Sequence, residues 1–420
     1  MRISYITLAK GILIAAFLED PIGALVPSIP FALMLDGIVF ITVGYVLTKA
    51  RVPREMRWSL LLIALAGLGL FINVRHSPAL LSVLSSRAFF MFLLNVWFFM
   101  FAFSRVQGQR FPELMNFLIL ILKLNIAVIL TEALLINFIA PGLYALLGTN
   151  LAEYRIQPNP VLIDAVPNGL VLGIQNASIL SVAGVFTWFP WNRWKGQSRS
   201  NIVWLSLSIL AWILTVTGTS VFVFAFVLLL IAVSGTARGY TPVLVLGAGG
   251  VIAYLIRSID ALIRARYSNP ALDDIDSFVN RNIAIYLQPL ESVNANFGEA
   301  LIGSGHFTEA IIAGSPLLRG VDHADFGLLI VAVRFGIVLV PLIFVFFLGA
   351  LWHISTRIRT QIPGRIEREM MISGLAVVLA LFVSTIPYMT LSQSGPAQYF
   401  AAVFALLYWW TLRESTRASD

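Results

Sequence analysis

His323 and Asp325 stand two residues apart in Val321-Asp322-His323-Ala324-Asp325-Phe326-Gly327, directly before a long apolar run. A neutral imidazole or a carboxylate at this place can accept a proton from a sugar hydroxyl. Upstream lies Arg281, whose forked guanidinium matches phosphate oxygens in two-pronged fashion. Arg155, Arg264 and Arg319 offer the same group at further positions. A proton acceptor and forked cations suit an enzyme that acts on a diphosphate-linked substrate. A plainer reading stays open for each. Asp322 or Asp325 can cap a helix with His323 among headgroups, and Arg281 can pair with Asp274 or Asp276.

Other polar clusters have simpler accounts. Asp273, Asp274 and Asp276 could present oxygens to a divalent ion, but their spacing also fits the first turn of a helix. His306 follows Gly303-Ser304-Gly305, a permissive loop in which a solvated imidazole suffices. Gly247-Ala248-Gly249-Gly250 shares letters with a phosphate loop but lies inside an apolar run with no preceding strand, so close helix packing explains it better. No metal site follows. The chain has no cysteine, so it holds no disulfide, thiolate zinc site or thiol nucleophile.

The elements that must hold these residues follow from composition. Hydrophobic residues make up 59% of the 420-residue chain and charged residues 12%, with a mean hydropathy of +0.88. Soluble domains carry roughly 25% charged residues, so these values predict an all-α polytopic integral membrane protein. Apolar windows of spanning length number about twelve, each near the 17 to 25 residues that a crossing needs. They fall at 3–18, 31–48, 58–73, 88–104, 112–137, 168–190, 201–216, 220–235, 241–257, 324–350, 371–388 and 396–412. The first could pass for a signal peptide. Lys10 interrupts its apolar core, however, and Glu19-Asp20-Pro21 stands where small residues would mark cleavage, so it reads as an uncleaved span.

Lys and Arg set the orientation. Alternate connections carry Lys49, Arg51, Arg54 and Arg57; Arg105 and Arg110; Arg193, Lys195 and Arg199; Arg238; Arg357, Arg359, Arg365 and Arg368; and Arg413 and Arg417. That set predicts the cytoplasmic side, with both termini on it. The formal charge of +7 therefore does not point to nucleic acid. Three parts result: residues 1–256 with nine spans and a smaller outward loop at 138–167, a large extracytoplasmic loop at 257–323 between helices nine and ten, and residues 324–420 with three spans and a tail. The large loop has a net charge of −3, which long loops tolerate on crossing. Within it Val279, Ile283, Tyr286 and Leu290 recur at helical spacing, with Arg281 on another face.

Lys123 and Arg334 fall inside spans five and ten, whereas Asp36 and Glu132 lie nearer span ends. Ionisable groups at such depth tend to face a bundle interior and mark sites or pathways, which favours transport if they act, while structural glue or a groove lining is the plainer reading of both. Trp188, Trp191, Trp194, Trp409 and Trp410 sit near span ends and read as an interfacial aromatic belt.

This plan resembles the O-antigen polymerase and ligase superfamily, which is similar in architecture to the GT-C-type glycosyltransferases. The resemblance covers the whole chain by topology, with about twelve spans and outward loops after spans five and nine. Its motifs cover about 281–337: Arg281-Asn282-Ile283-Ala284-Ile285-Tyr286 resembles an Arg followed by an aromatic, Gly303-Ser304-Gly305 a Gly-x-Gly, and Asp322 to Gly327 with Arg334-Phe335-Gly336 the return to the membrane. Members often carry Ser-Arg in the turn between spans seven and eight, where this chain has Thr217-Gly218-Thr219-Ser220. The spacing from His323 to Gly336 is longer than in ligase-like members, and the form Asp325-Phe326-Gly327 is closer to exopolysaccharide polymerases.

The resemblance implies a metal-independent polysaccharide polymerase without a cofactor. Its donor would be an oligosaccharide on undecaprenyl diphosphate, its acceptor the sugar hydroxyl of a second lipid-linked repeat unit. His323 and Asp325 would be catalytic, and Arg281, Arg155, Arg264 and Arg319 would bind diphosphate. The bilayer, a chain-length regulator and export proteins would be its partners. A ligase that transfers glycan to lipid A core or another acceptor, a transporter or flippase of precursors, and a secretion scaffold are the alternatives.

Overall fold

In an apolar medium every backbone N–H and C=O must find its partner within the segment, which for a single run of chain means a helix. Among the described residues the fold is helical and contains no strand. The structure, a computed structural model, describes residues 4–25, 31–76, 87–106, 110–139, 169–171, 174–194, 199–233, 301, 336, 338–361, 365–385 and 394–417. They form α1 (Tyr5–Leu25), α2 (Phe31–Lys49), α3 (Leu60–His76), α4 (Arg87–Ser104), α5 (Phe111–Leu134), α6 (Ile174–Trp194), α7 (Arg199–Thr215), α8 (Gly218–Val233), α9 (Leu339–Gln361), α10 (Arg365–Val383) and α11 (Ser394–Arg417). A 3-10 turn over Arg54–Ser59 leads into α3, and a π turn over Leu135–Ile139 closes α5. Each of these helices overlaps one apolar window of the sequence. The window at 241–257 lies outside the described residues, as does the 257–323 segment apart from Leu301.

Two helical stretches, Phe111–Leu134 and Leu339–Thr360, are long and apolar enough to cross a membrane. Large apolar side chains also stand exposed on α2, α3, α5, α7 and α9, among them Ile41 at 72% and Trp352 at 73%. An exterior of that kind suits lipid rather than water.

The core is built on α4 and α11, which run parallel. Trp409 Nε1 donates to the Met100 carbonyl at 2.7 Å, and one turn further on Arg413 Nη2 donates to that of Ser104 at 3.0 Å. Phe92, Phe347, Phe400 and Phe404 interlock where α4, α9 and α11 meet, with ring centroids 5.4 to 5.8 Å apart. The first helix belongs to the same core: Tyr5 meets Phe101, Phe17 meets Tyr399, and Lys10 Nζ lies 5.1 Å above the Phe117 ring. These contacts define a basic end of the bundle, where Arg51, Arg105 and Arg413 gather. Helices α2, α4, α6, α8, α9 and α11 run toward it and the others run away.

Four details differ from the sequence reading. Helix α1 continues through Pro21 to Leu25, because a helix in an apolar setting tolerates one missing N–H when its other bonds persist. Helices α9 and α11 extend to Gln361 and Arg417, beyond their apolar windows, with Arg359 placed against the negative end of the α9 dipole. The sixth helix begins at Ile174 rather than 168, since Gly169 has a positive φ of 74° that a helix cannot contain. Trp409 and Trp410 are not part of an interfacial belt. They are only 4% and 3% exposed, the first bonded to Met100 and the second stacked on Phe111 at 6.1 Å.

Candidate functional site

The end of the bundle opposite the arginines is lined by polar side chains from α5, α6 and α8. Asn125 and Glu132 lie seven residues apart on α5, two helical turns, and therefore on one face. Both accept hydrogen bonds from the short segment that leads into α6. The Glu132 carboxylate takes the Gly169 N–H at 2.7 Å, and Asn125 Oδ1 takes the Leu170 N–H at 2.9 Å. These are unmet donors ahead of a helix N-terminus, where a carboxylate is favoured by both hydrogen bonding and the dipole. A charged acceptor of this kind contributes about 1.5 to 3 kcal/mol.

The chain can lie this close to α5 only because residue 169 has no Cβ. A Cβ there would stand 2.7 Å from Ile129 Cγ1 and 2.9 Å from Asn125 Oδ1. Two residues on, Val171 is buried, and its Cγ2 lies 2.7 Å from where a Cβ on Gly395 would be. Thus the segment is clamped between α5 and the first turn of α11. Asn125 Nδ2 is buried and has no hydrogen-bond partner among the described residues.

Beside this clamp the turn between α7 and α8 closes on itself. Ser220 Oγ accepts from the Thr217 N–H at 3.1 Å and from Trp212 Nε1 at 3.0 Å, and it donates to the Thr217 carbonyl at 2.9 Å. In return Thr217 Oγ1 accepts the Ser220 N–H at 3.2 Å, a reciprocal cap at the start of α8. Thr219 Oγ1 reaches Gln175 Oε1 on α6 at 3.3 Å. Hydroxyls thus occupy the turn in which relatives of the resembled superfamily often place an arginine. The turn supplies no cation, and its hydroxyls are engaged with one another, with Trp212 and with Gln175.

Lys123, like Asp36 and Glu132, is a sequence-selected ionisable residue that lies within a described helix. It lies about 18 Å along α5 from Phe111, at 1.5 Å per residue, and its Nζ stands 5.2 Å over the Trp204 ring on α7. A cation over an indole face recovers part of the energy lost on leaving water.

His323, Asp325, Arg281, Arg155, Arg264 and Arg319 all lie outside the described residues, as do Asp273, Asp274, Asp276, His306 and Arg334. What the structure brings together is instead Asn125, Glu132, Gly169, Gln175 and the Thr217–Ser220 turn. Sequence reading passed over most of these. The available signal was Asn and Glu at i and i+7 in an otherwise apolar helix, which places two acceptors on one stripe.

No protein-family model matches the chain, and neither curated proteins nor solved structures give a match.

Proposed function

We propose that the protein is a polysaccharide polymerase of the inner membrane that joins lipid-linked repeat units at the outer face. The observation that carries this reading is the Arg281–Asp325 segment, which sets a forked cation, a base and an orienting acid ahead of an apolar helix. In the proposed step His323 removes the proton from an acceptor sugar hydroxyl, with Asp325 holding the imidazole. The freed oxygen attacks the donor's anomeric carbon, and the bond to the diphosphate oxygen breaks. Arg281, with Arg155, Arg264 and Arg319 as further contacts, stabilises charge growing on that leaving group, the effect that usually dominates such transfers.

The helical bundle supports the reading in two ways. First, α8 heads toward the basic end and α9 starts from the opposite end, the directions that a twelve-span plan gives to its eighth and tenth spans. Second, the Gly169–Val171 segment, which follows the proposed smaller outward loop in sequence, is clamped on α5. With arginines at the cytoplasmic side, both termini are cytoplasmic and both loops face outward.

The reading is tested with purified protein and lipid-linked repeat units. The doubly substituted Arg281→Ala/His323→Ala protein is expected to make no dimer or longer product. Polymerisation at the wild-type rate by that variant would rule the mechanism out. Lys123 over Trp204 is the observation favouring transport, and that reading expects Lys123→Met to abolish output while the loop variants retain it.

A further inference from the structure

We propose that the basic turn between α2 and α3 binds the phosphodiester headgroup of an anionic phospholipid, whose acyl chains lie along exposed apolar side chains of those two helices. This inference is independent of the polymerase reading.

The turn is rich in unneutralised charge. Lys49, Arg51, Arg54 and Arg57 are all exposed, and Glu55 is the single acid among them, which leaves a net +3 within residues 49–57. Arg51, Arg54 and Arg57 form no ion pair with another described residue. A fifth cation is fixed beside them, because Arg105 Nη2 donates to the Arg51 carbonyl at 3.2 Å while its guanidinium lies 5.2 Å over the Phe101 ring.

The turn is also rigid, so the charges are preorganised. Pro53 precedes the 3-10 turn, Met56 is fully buried beneath it, and Ser59 Oγ donates to the Met56 carbonyl at 2.6 Å. Trp58 Nε1 donates to Tyr408 Oη at 2.8 Å, and that hydroxyl donates onward to the Glu55 carbonyl at 2.5 Å. A turn needing only polarity at a membrane surface has no need of such fastening to α11.

The flanking side chains select a lipid over other anions. Tyr45 and Leu47 on α2, and Leu60 and Leu61 on α3, are exposed and adjoin the basic turn directly. Helices α2 and α3 each pack on α4 rather than on one another, and exposed apolar side chains of both flank the basic turn. A nucleic acid or an acidic protein has no use for that apolar continuation, whereas a phosphodiester carrying two acyl chains fits both parts.

The test uses the full chain in detergent, titrated with phosphatidylglycerol and followed by native mass spectrometry and thermal unfolding. Wild type is expected to retain phosphatidylglycerol through delipidation and to gain thermal stability from it, with phosphatidylcholine retained far less. Each basic residue near a headgroup is worth roughly a fivefold factor, so Arg51→Gln/Arg54→Gln/Arg57→Gln should weaken retention by about tenfold or more. The control is Arg199→Gln, an exposed arginine at the start of α7, which should retain the lipid like wild type. Equal loss in both variants would mean general charge attraction and overturn the site. So would unchanged retention in the triple variant, equal binding of phosphatidylcholine, or the same stabilisation by millimolar inorganic phosphate alone.

Discussion

The two ends of the bundle are fastened by opposite chemistries. At the basic end, side-chain donors reach backbone carbonyls: Trp409 to Met100, Arg413 to Ser104, Arg105 to Arg51 and Tyr408 to Glu55. Two of these carbonyls, those of Ser104 and Arg51, belong to the last turn of a helix or the residues just beyond it, where no helical N–H remains. At the other end, side-chain acceptors reach backbone donors: Glu132 to Gly169 and Asn125 to Leu170. Those N–H groups belong to a chain about to start a helix. The basic end therefore caps elements that have finished and makes a base plate. The opposite end instead holds the Gly169–Val171 segment, ahead of α6, against polar side chains of α5. Stability and function are expected to divide along the same line.

Substitutions at the two ends can break that division. The largest effect is expected from Gly169→Ala, which must place a Cβ 2.7 Å from Ile129 Cγ1 and hold a non-glycine residue at a φ of 74°. Strain and overlap together cost about 3 kcal/mol, so the α5–α6 junction should shift and polymer output should fall more steeply than membrane level. The check is an immunoblot of membranes beside a polysaccharide gel. If output and protein level fell in parallel, the clamp would be merely structural.

Next is Tyr408→Phe at the basic end, which leaves the Trp58 N–H and the Glu55 carbonyl without their shared hydroxyl. It should lower stability by about 2 kcal/mol in thermal unfolding, with output per molecule unchanged. A graded pair of similar size follows at Glu132. Glu132→Ala removes the acceptor for Gly169 and should cost about 1.5 to 3 kcal/mol, whereas Glu132→Gln keeps a neutral acceptor and should cost about 1 kcal/mol or less. Identical unfolding curves for the two variants would contradict the hydrogen bond as the source of the effect. Smallest is Lys123→Met, which exchanges a cation–π contact for apolar packing and should change stability by about 1 kcal/mol or less, leaving polymer length as in wild type.

The helical framework was legible because apolar windows of spanning length carry their own hydrogen-bond requirement, and eleven helices are present in the described residues where such windows fall. The alternation of basic connections was equally plain, and the Arg105–Arg51 and Arg413–Ser104 contacts bring those connections together at one end. What sequence concealed was lateral. Trp409 and Trp410 have the composition of a lipid-facing belt, and only the parallel packing of α4 on α11 shows that they are interior. The clamp was hidden for the same reason. Asn125 and Gly169 are ordinary residues until a segment 45 positions away in the chain is laid against α5. Chemistry-bearing residues such as His323 and Arg281 stand out in an apolar chain by type alone, whereas residues that position chain segments are revealed only by contact.

The central claim, polymerisation by the Arg281–Asp325 segment, is tested most directly in a deletion strain complemented with wild type, Arg281→Ala or His323→Ala at matched membrane levels. The readout is the extracellular polysaccharide ladder together with the lipid-linked intermediates. Single repeat units accumulating on the carrier, with no long chains, are the predicted result for both variants. A normal ladder from both would contradict the claim, and long chains stranded on their carrier would assign the protein to ligation instead.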